Sequence, residues 1–491
     1  MSQQTLKSKA LSSMVWTMFS KYSNMLITFV SGIILARMLS PYDYGCIGML
    51  AIFMALAEII IDGGFASALI QKKNPTQEDY STIFFWNLAM AAIMYVVLYF
   101  SAPAIARFYN IELLCSVLRV QGVILFIYAF NIIQRNQLKK KLNFKVLGIV
   151  SVSTSLISLI VTIWLAYHGY GVWSLVANNI ISALIPAVVF WFYLKWRPIW
   201  AFSWKSFKVL FSFGGYMFLT HLVNTFCSKL TGLLIGKVYS PSTLGYYSKA
   251  MSMESMASHA ISTSIDSVTF PLYVRVKDDK PAMAAMVKRL TSTIAYITFP
   301  VMFVLILVAK PLFVLLYSEK WLASVPYFQI LCLAGAASCL QSVNLQTIAA
   351  IGKSKVMFYW TVIRRAAGLV FIIGGMFAFG MKGLLVGMVL YHWSYYFINM
   401  GLVSKYIGYK WNQQLKDLMP MAVMSVVAAV VSYVAIAPGH LNMYVDGILK
   451  AVVYAIIYMG WSLLFKPESF TYALTIIPEK LRFWERKKEL V

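Results

Sequence analysis

Apolar runs of about 20 residues, the length a helix needs to cross a bilayer, recur fourteen times along this chain. They cover residues 14–36, 45–70, 82–103, 115–134, 146–167, 172–194, 209–236, 245–271, 291–309, 325–350, 357–380, 383–403, 418–437 and 447–465. In lipid a segment must satisfy its own backbone hydrogen bonds, so runs of this length and number are read as helices. Composition agrees: 60% of the residues are hydrophobic and 12% charged, against about 45–50% and about 25% in soluble domains. The predicted fold is an all-α integral membrane protein of about fourteen transmembrane helices. Lys21 interrupts the first run and no small-residue cleavage site follows it, so that run is read as a retained span and not a signal peptide.

A second pattern organises the runs. ARMLSPYDYGCIG (Ala36 to Gly48) returns as GKVYSPSTLGYYS (Gly236 to Ser248). At an offset of 200 residues Gly32 answers Gly232, Arg37 answers Lys237, Ser40-Pro41 answers Ser240-Pro241, and Gly45 answers Gly245. Proline stops a helix and glycine permits close approach, so each copy reads as a tight turn between two spans. Six spans return the chain to its starting side, which makes the halves parallel repeats, an arrangement of transporters with the substrate site between repeats. The expected organisation is a six-helix bundle over 1–200, a second over 201–410, two additional helices over 411–465 and a basic cytoplasmic tail over 466–491.

The net charge of +25 would suit nucleic acid, but its placement argues for membrane topology instead. With the N-terminus inside, Arg37, Arg107, Lys237, Lys310, Lys320 and Lys382 fall in outer loops. Seven more basic residues fall within spans, leaving 29 of the 42 Lys and Arg on the cytoplasmic side. They include Arg135, Lys139, Lys140, Lys141 and Lys145 after the fourth run, and Arg482, Arg486, Lys487 and Lys488 near the C-terminus. Basic residues near span ends set orientation, so both termini are expected in the cytoplasm. Cys46, Cys115, Cys227, Cys332 and Cys339 form no C-x-x-C pair and lack histidines at ligand spacing, so neither a disulfide framework nor a metal site is expected.

The candidate functional residues are the polar ones inside the spans. Lys21, Asn24, Thr28 and Ser31 share one face of the first span, and His221, Asn224, Ser228 and Thr231 repeat the offsets on the seventh. Such seams either line a shared aqueous cavity or hydrogen-bond neighbouring helices; the cost of a lysine in the membrane tips the first seam toward a cavity. Lys229 and Arg364 join Lys21 as substrate-binding candidates. Lys249 is a fourth, although Arg119, Lys249 and Lys450 lie near span ends and could snorkel to the headgroups. Glu58 and Asp62 lie four residues apart on the second span, and the eighth carries Glu254, His259 and Asp266. Carboxylates held in a membrane can exchange a proton or Na+, although a structural ion pair with Lys21, Lys229 or Lys249 would also explain them. Basic groups within the spans outnumber acidic ones seven to four, which favours an anionic cargo.

The Ser-Pro turn and its echo SPSTLGYYSKA (Ser240 to Ala250), with the basic loop NQLKKKLNFK (Asn136 to Lys145), resemble the polysaccharide transport branch of the multidrug/oligosaccharidyl-lipid/polysaccharide (MOP) flippases. The likeness runs over nearly the whole chain and is nearest to Wzx flippases of the colanic-acid-exporter type. It implies two six-helix bundles in a MATE-like V, alternating access, and a cargo of undecaprenyl-pyrophosphate-linked oligosaccharide flipped across a bacterial inner membrane for capsule, exopolysaccharide or O-antigen assembly. It further implies H+ or Na+ antiport in place of any cofactor. A polysaccharide polymerase and chain-length machinery are its further expected partners, and no nucleic acid is. A MATE-like drug or metabolite exporter is the alternative, though exporters of organic cations would favour acidic cavities. A membrane polymerase or glycosyltransferase would need a large outer loop or a soluble catalytic domain, and the outer connections here have the length of simple linkers. No enzymatic activity is expected.

Overall fold

The computed structural model describes residues 3–276, 278–351, 354–436 and 442–471, with side chains described except at 3–11, 263–268, 270–272, 274–275 and 354–358. The Asp266 side chain and the tail residues Arg482, Arg486, Lys487 and Lys488 therefore lie outside what is described. The described chain is helical, without a strand. The helices are α1 (Gln3–Met38), α2 (Pro41–Asp62), α3 (Phe65–Gln71), α4 (Gln77–Tyr109), α5 (Leu113–Gln121), α6 (Ile124–Lys140), α7 (Phe144–Tyr167) and α8 (Val172–Leu194). They continue as α9 (Trp204–Val238), α10 (Pro241–Arg275), α11 (Lys280–Leu307), α12 (Ala309–Tyr317), α13 (Val325–Ala350), α14 (Ser354–Ile407), α15 (Trp411–Ala435) and α16 (Met443–Phe465).

Among the described residues twelve segments are long and apolar enough to span a membrane. The segment Tyr359–Ile407 holds two spans, because Phe379 and Gly380 break its helical backbone. The 35-residue α10 is also long enough, but its serines, threonines and charges keep it below the hydropathy of the others. Together these account for the fourteen predicted spans.

Two spans are discontinuous where the sequence predicts single helices. The second breaks at Gly63 and Gly64, with φ of 53° and 77°, a left-handed conformation that glycine adopts without steric cost. The fourth breaks after α5 and then continues as helix to Lys140, several residues beyond its apolar run. Arg135 and Lys139 are therefore helical, not loop residues as the sequence suggests. Lys140 Nζ donates to the carbonyls of Leu69 (2.9 Å), Ile70 (3.3 Å) and Lys72, closing the C-terminal end of α3 as cations commonly do.

The described residues form two compact units. One runs through Ser248 and includes Leu316–Lys320; the other comprises Lys249–Leu315 and the chain from Trp321 onward. In the first, α1 packs on α7, α2 on α9, and α8 on α6 and α7. In the second, α11 packs on α13, α15 and α16, while α13 lies along α14.

Both copies of the repeated turn belong to the first unit, and they meet. Ser40 caps α2, its Oγ accepting from Asp43 N (3.3 Å) while Asp43 Oδ2 accepts from Ser40 N (2.9 Å). Pro41 opens that helix, at a position where its missing N–H costs nothing. In the second copy Ser240 Oγ accepts from Thr243 N (3.1 Å). A Cβ on Gly45 would overlap the Pro241 carbonyl, and one on Gly245 would overlap the Pro41 carbonyl. The cations before the turns are similarly matched: Arg37 Nε donates to Leu316 O (3.0 Å) and Lys237 Nζ to Phe108 O (2.5 Å). The glycine pair in the repeat is thus required by reciprocal backbone packing.

Candidate functional site

Each unit holds a cavity of its own; of the candidate residues Glu58 lines the first and Glu254 and His259 the second, while Lys21, Lys229, Arg364 and the two seams line neither. That of the first unit measures about 600 Å³ and is enclosed by α1, α2, α5, α6, α7 and α8. Its wall includes Glu58 from α2, Tyr128, Asn131, Arg135 and Lys139 from α6, and Ser151, Thr154 and Ser155 from α7. Asn131 Oδ1 and Thr154 Oγ1 are buried with no hydrogen-bond partner, so the cavity presents unsatisfied acceptors as well as charge.

Glu58 is half-buried and has no hydrogen bond or close ion pair among the described residues. Its electrostatic neighbour is Lys229 on α9, which the packing of α2 on α9 brings alongside. Asp62, four residues on, has a different place. It ends α2 and its Oδ1 accepts from Ala66 N (3.2 Å), so it caps α3 across the glycine break, with His221 and Lys139 as its electrostatic neighbours. The spacing of the two acids puts them on one helix face, and the break beside Asp62 separates their roles.

The first polar seam divides in the same way. Asn24 Nδ2 donates to Ser20 O (2.7 Å) and Ser151 Oγ (3.1 Å), and its Oδ1 accepts from Ser155 Oγ (2.7 Å). Asn24 thus bonds α1 to α7, the helix-joining reading. Lys21 and Thr28 are exposed and Ser31 is half-buried. On α9, His221, Ser228 and Lys229 are exposed, Asn224 is half-buried and Thr231 buried; Ser228 Oγ bonds its own helix at Thr225 O (3.0 Å).

In the second unit a cavity of about 260 Å³ lies among α10, α13 and α14. Glu254, 6% exposed, lines it with Ser258, His259, Ser338 and His392. The Glu254 carboxylate accepts from Ser258 Oγ and, at 3.5 Å, from Ser255 Oγ. Opposite, the ring nitrogen His392 Nδ1 lies 2.9 Å from Ser338 Oγ, and Gln341 Nε2 donates to His392 O (2.6 Å). The charges of Arg364 and Arg365 act on that imidazole. The Arg364 guanidinium stacks over Tyr395 at 4.0 Å, with Nε buried and unbonded. Gly335 makes room for the acid, since a Cβ there would overlap Glu254 Oε1. A carboxylate among hydroxyls and imidazoles can exchange a proton or hold a small cation.

The cations expected to snorkel are placed otherwise. Lys249 is buried, its ammonium 5.6 Å from the centre of the buried Trp321 ring, and it lines neither cavity. Lys450, also buried, pairs with Asp446 at 2.8 Å. Arg119 stacks over Tyr99 at 4.3 Å. In each case an aromatic ring or a carboxylate one helical turn away supplies the compensation that the headgroups would otherwise provide. Sequence reasoning missed His392, Ser338, Tyr128 and Asn131. The signal for His392 was present, an imidazole inside an apolar run; the others are ordinary span residues until neighbouring helices are placed.

Helices this long and apolar make a multi-pass membrane protein, and the proteins it is similar to point to a transporter rather than an enzyme. Residues 34–326 match the family described as polysaccharide biosynthesis protein, and the chain belongs to that family. It is 25% identical over 358 residues to the teichuronic acid biosynthesis protein TuaB of Bacillus subtilis (strain 168), spanning 72% of this chain and 74% of that protein. It is 21% identical over 436 residues to the lipopolysaccharide biosynthesis protein WzxC of Escherichia coli (strain K12), covering 87% and 88%. In fold it matches the lipid II flippase MurJ in an inward closed conformation, with a TM-score of 0.72 at 15% identity over 93% of this chain and 98% of that one. The fold is also that of an inward-facing MATE-family multidrug resistance transporter, with a TM-score of 0.61 at 14% identity over 78% of this chain and 94% of that one.

Proposed function

We propose that this protein flips undecaprenyl-pyrophosphate-linked oligosaccharide repeat units across a bacterial inner membrane, from the cytoplasmic to the outer leaflet, for assembly into capsule, exopolysaccharide or O-antigen. The observation that carries this reading is membership of a polysaccharide biosynthesis family in a chain whose fold is a lipid-flippase fold. Cations exceed acids in the spans, which suits a pyrophosphate and disfavours the organic cations of a drug exporter. In this reading Lys21, Lys229 and Arg364 attract the pyrophosphate, and the hydroxyl and amide groups of the seams bond sugar hydroxyls. Glu58 and Glu254 couple transport to H+ or Na+, and both termini face the cytoplasm. Lys249 and Asp62 drop out of the proposed machinery, the first because it is packed under Trp321, the second because it caps a helix.

The deciding experiment is mass spectrometry of lipid-linked sugars in a strain lacking the gene. Complete repeat units should accumulate on the lipid carrier and disappear on complementation. An unchanged lipid-linked pool, with surface polysaccharide intact, would overturn the proposal.

A further inference from the structure

Residues 195–203 connect α8 to α9 and so link the two repeats of the sequence. Both flanking helices are long and apolar enough to cross a membrane, so the chain itself holds this connection at a membrane surface. It has no helix or strand of its own, yet its course is fixed. Ser81 Oγ and Thr82 Oγ1 of α4, both wholly buried, accept from Ile199 N (3.0 Å) and Ser203 N (3.1 Å). Gln77 Nε2 donates to Arg197 O (2.6 Å), and its Oε1 accepts from Trp196 Nε1 (2.6 Å). Arg197 in turn donates to the carbonyls of Trp191 (2.9 Å) and Trp196 (2.8 Å).

With these polar groups engaged, the apolar side chains of the connection are left outside. Trp200 is 96% exposed, Trp204 63%, Ile199 44% and Phe202 43%. The Phe85 ring stacks on Trp200 at 5.2 Å with 25° between the planes, and the Phe202 and Trp204 rings meet edge to face at 5.3 Å. The indoles are held in place without being covered. Single exposed apolar residues are ordinary, but a group of them within one short stretch marks an interaction surface. Basic residues frame the group: Lys195, Arg197, Lys205 and Lys208 are all exposed. On the adjoining turn of α4, Asp79 is bound by Lys72 at 2.6 Å, and Glu78 is exposed, a lone carboxylate against those cations.

Indole rings have an apolar body and a polar edge and settle at the headgroup level of a bilayer, where neighbouring Lys and Arg reach the phosphates. We propose that residues 199–204 form an interfacial wedge, with Trp200 and Trp204 inserted at the boundary between the headgroups and acyl chains of a phospholipid leaflet. The occupant of this surface is lipid, and not a second copy of the chain, because the segment lies between two span ends and carries cations on both sides of its tryptophans. The link between the repeats is then fixed twice, to α4 by hydrogen bonds and to the membrane by its aromatic rings. The assignment is independent of the flippase reading, and either can fail without the other.

The test is tryptophan fluorescence of the full-length protein in vesicles of phosphatidylcholine and phosphatidylglycerol, brominated either near the top of the acyl chain or near its end. Subtracting the emission of Trp200→Phe from that of the wild type isolates one of the fourteen tryptophans, and phenylalanine retains the stack on Phe85. The isolated signal should fall about twofold with shallow bromine, as expected of a ring at headgroup depth. It should fall less with deep bromine and little with aqueous acrylamide. Trp204→Phe should give the same pattern, which keeps the proposal testable if one variant fails to fold. Quenching by acrylamide and not by bromine would place the segment in water and overturn the proposal. A signal reached by neither quencher would mean that a second copy covers the surface, and quenching by deep bromine alone would put the rings in the acyl core; each overturns the interfacial assignment.

Discussion

Gly335→Ala probes the Glu254 site with a single methyl group. A Cβ at this position would overlap Glu254 Oε1 and lie 2.8 Å from Ser258 Oγ. The carboxylate, at the end of a flexible side chain, would swing away and lose its bond to Ser258. A hydrogen bond to a charged group contributes about 1.5–3 kcal/mol, and alanine regains about 0.5–1 kcal/mol over glycine in a helix, so the net loss is about 1–2 kcal/mol. Gly374→Ala is the matched control, because nothing lies within 4 Å of its Cβ position; it should melt at or above the wild-type temperature. In a Glu254→Ala background the clash disappears except for the Ser258 hydroxyl, which can rotate. The two substitutions should therefore couple by about 1–2 kcal/mol in a double-mutant cycle read from thermal melting of the purified protein. Strict additivity, or identical melting of Gly335→Ala and Gly374→Ala, would refute the argument that Gly335 exists to seat the carboxylate.

Glu58→Gln and Lys229→Gln each remove one member of the electrostatic pair in the first unit; each should lower complementation of a deletion strain roughly tenfold, the scale of a lost 1.4 kcal/mol interaction, at unchanged membrane abundance. Full complementation by both would remove them from the machinery. Gly45→Ala and Gly245→Ala meet the facing proline carbonyls reciprocally and should destabilise by similar amounts, about 1–3 kcal/mol each, whereas Gly460→Ala, facing open space, should not; unequal losses would argue against symmetric turn packing. Asp446→Ala strands the buried Lys450 ammonium and should cost about 2–3 kcal/mol, below the full buried-pair value because Asp446 is partly exposed. Adding Lys450→Met should recover most of the melting temperature, and failure to recover would mean that the charge was never the cause.

The number of spans and the turn chemistry were legible in the sequence because each is local. An apolar run of about twenty residues becomes a helix in lipid whatever surrounds it, and a Ser-Pro pair caps and opens a helix through bonds to residues three positions away. Even the close approach at Gly45 and Gly245 could be suspected from glycine at matched positions. Where hydrophobicity and helix formation part company, the sequence misled: the fourth apolar run ends near residue 134, but hydrogen bonding carries α6 to Lys140 and brings Arg135 and Lys139 into the cavity wall.

Helical spacing correctly put Lys21 and Asn24, and Glu58 and Asp62, on common faces, but a shared face does not say what that face meets. Asn24 finds Ser151 and Ser155 more than a hundred residues away, Asp62 is diverted to a cap by two left-handed glycines, and Lys249 is roofed by Trp321. His392 acquires Ser338 and Glu254 as cavity neighbours only once α10, α13 and α14 are packed. The sequence by itself determined a helical, multi-pass membrane protein with a repeated turn, since backbone satisfaction and periodicity act within a segment. Tertiary structure decided which polar groups form sites, because a charge in the membrane is defined by its surroundings, and for Glu58, Lys249 and His392 those surroundings come from other helices.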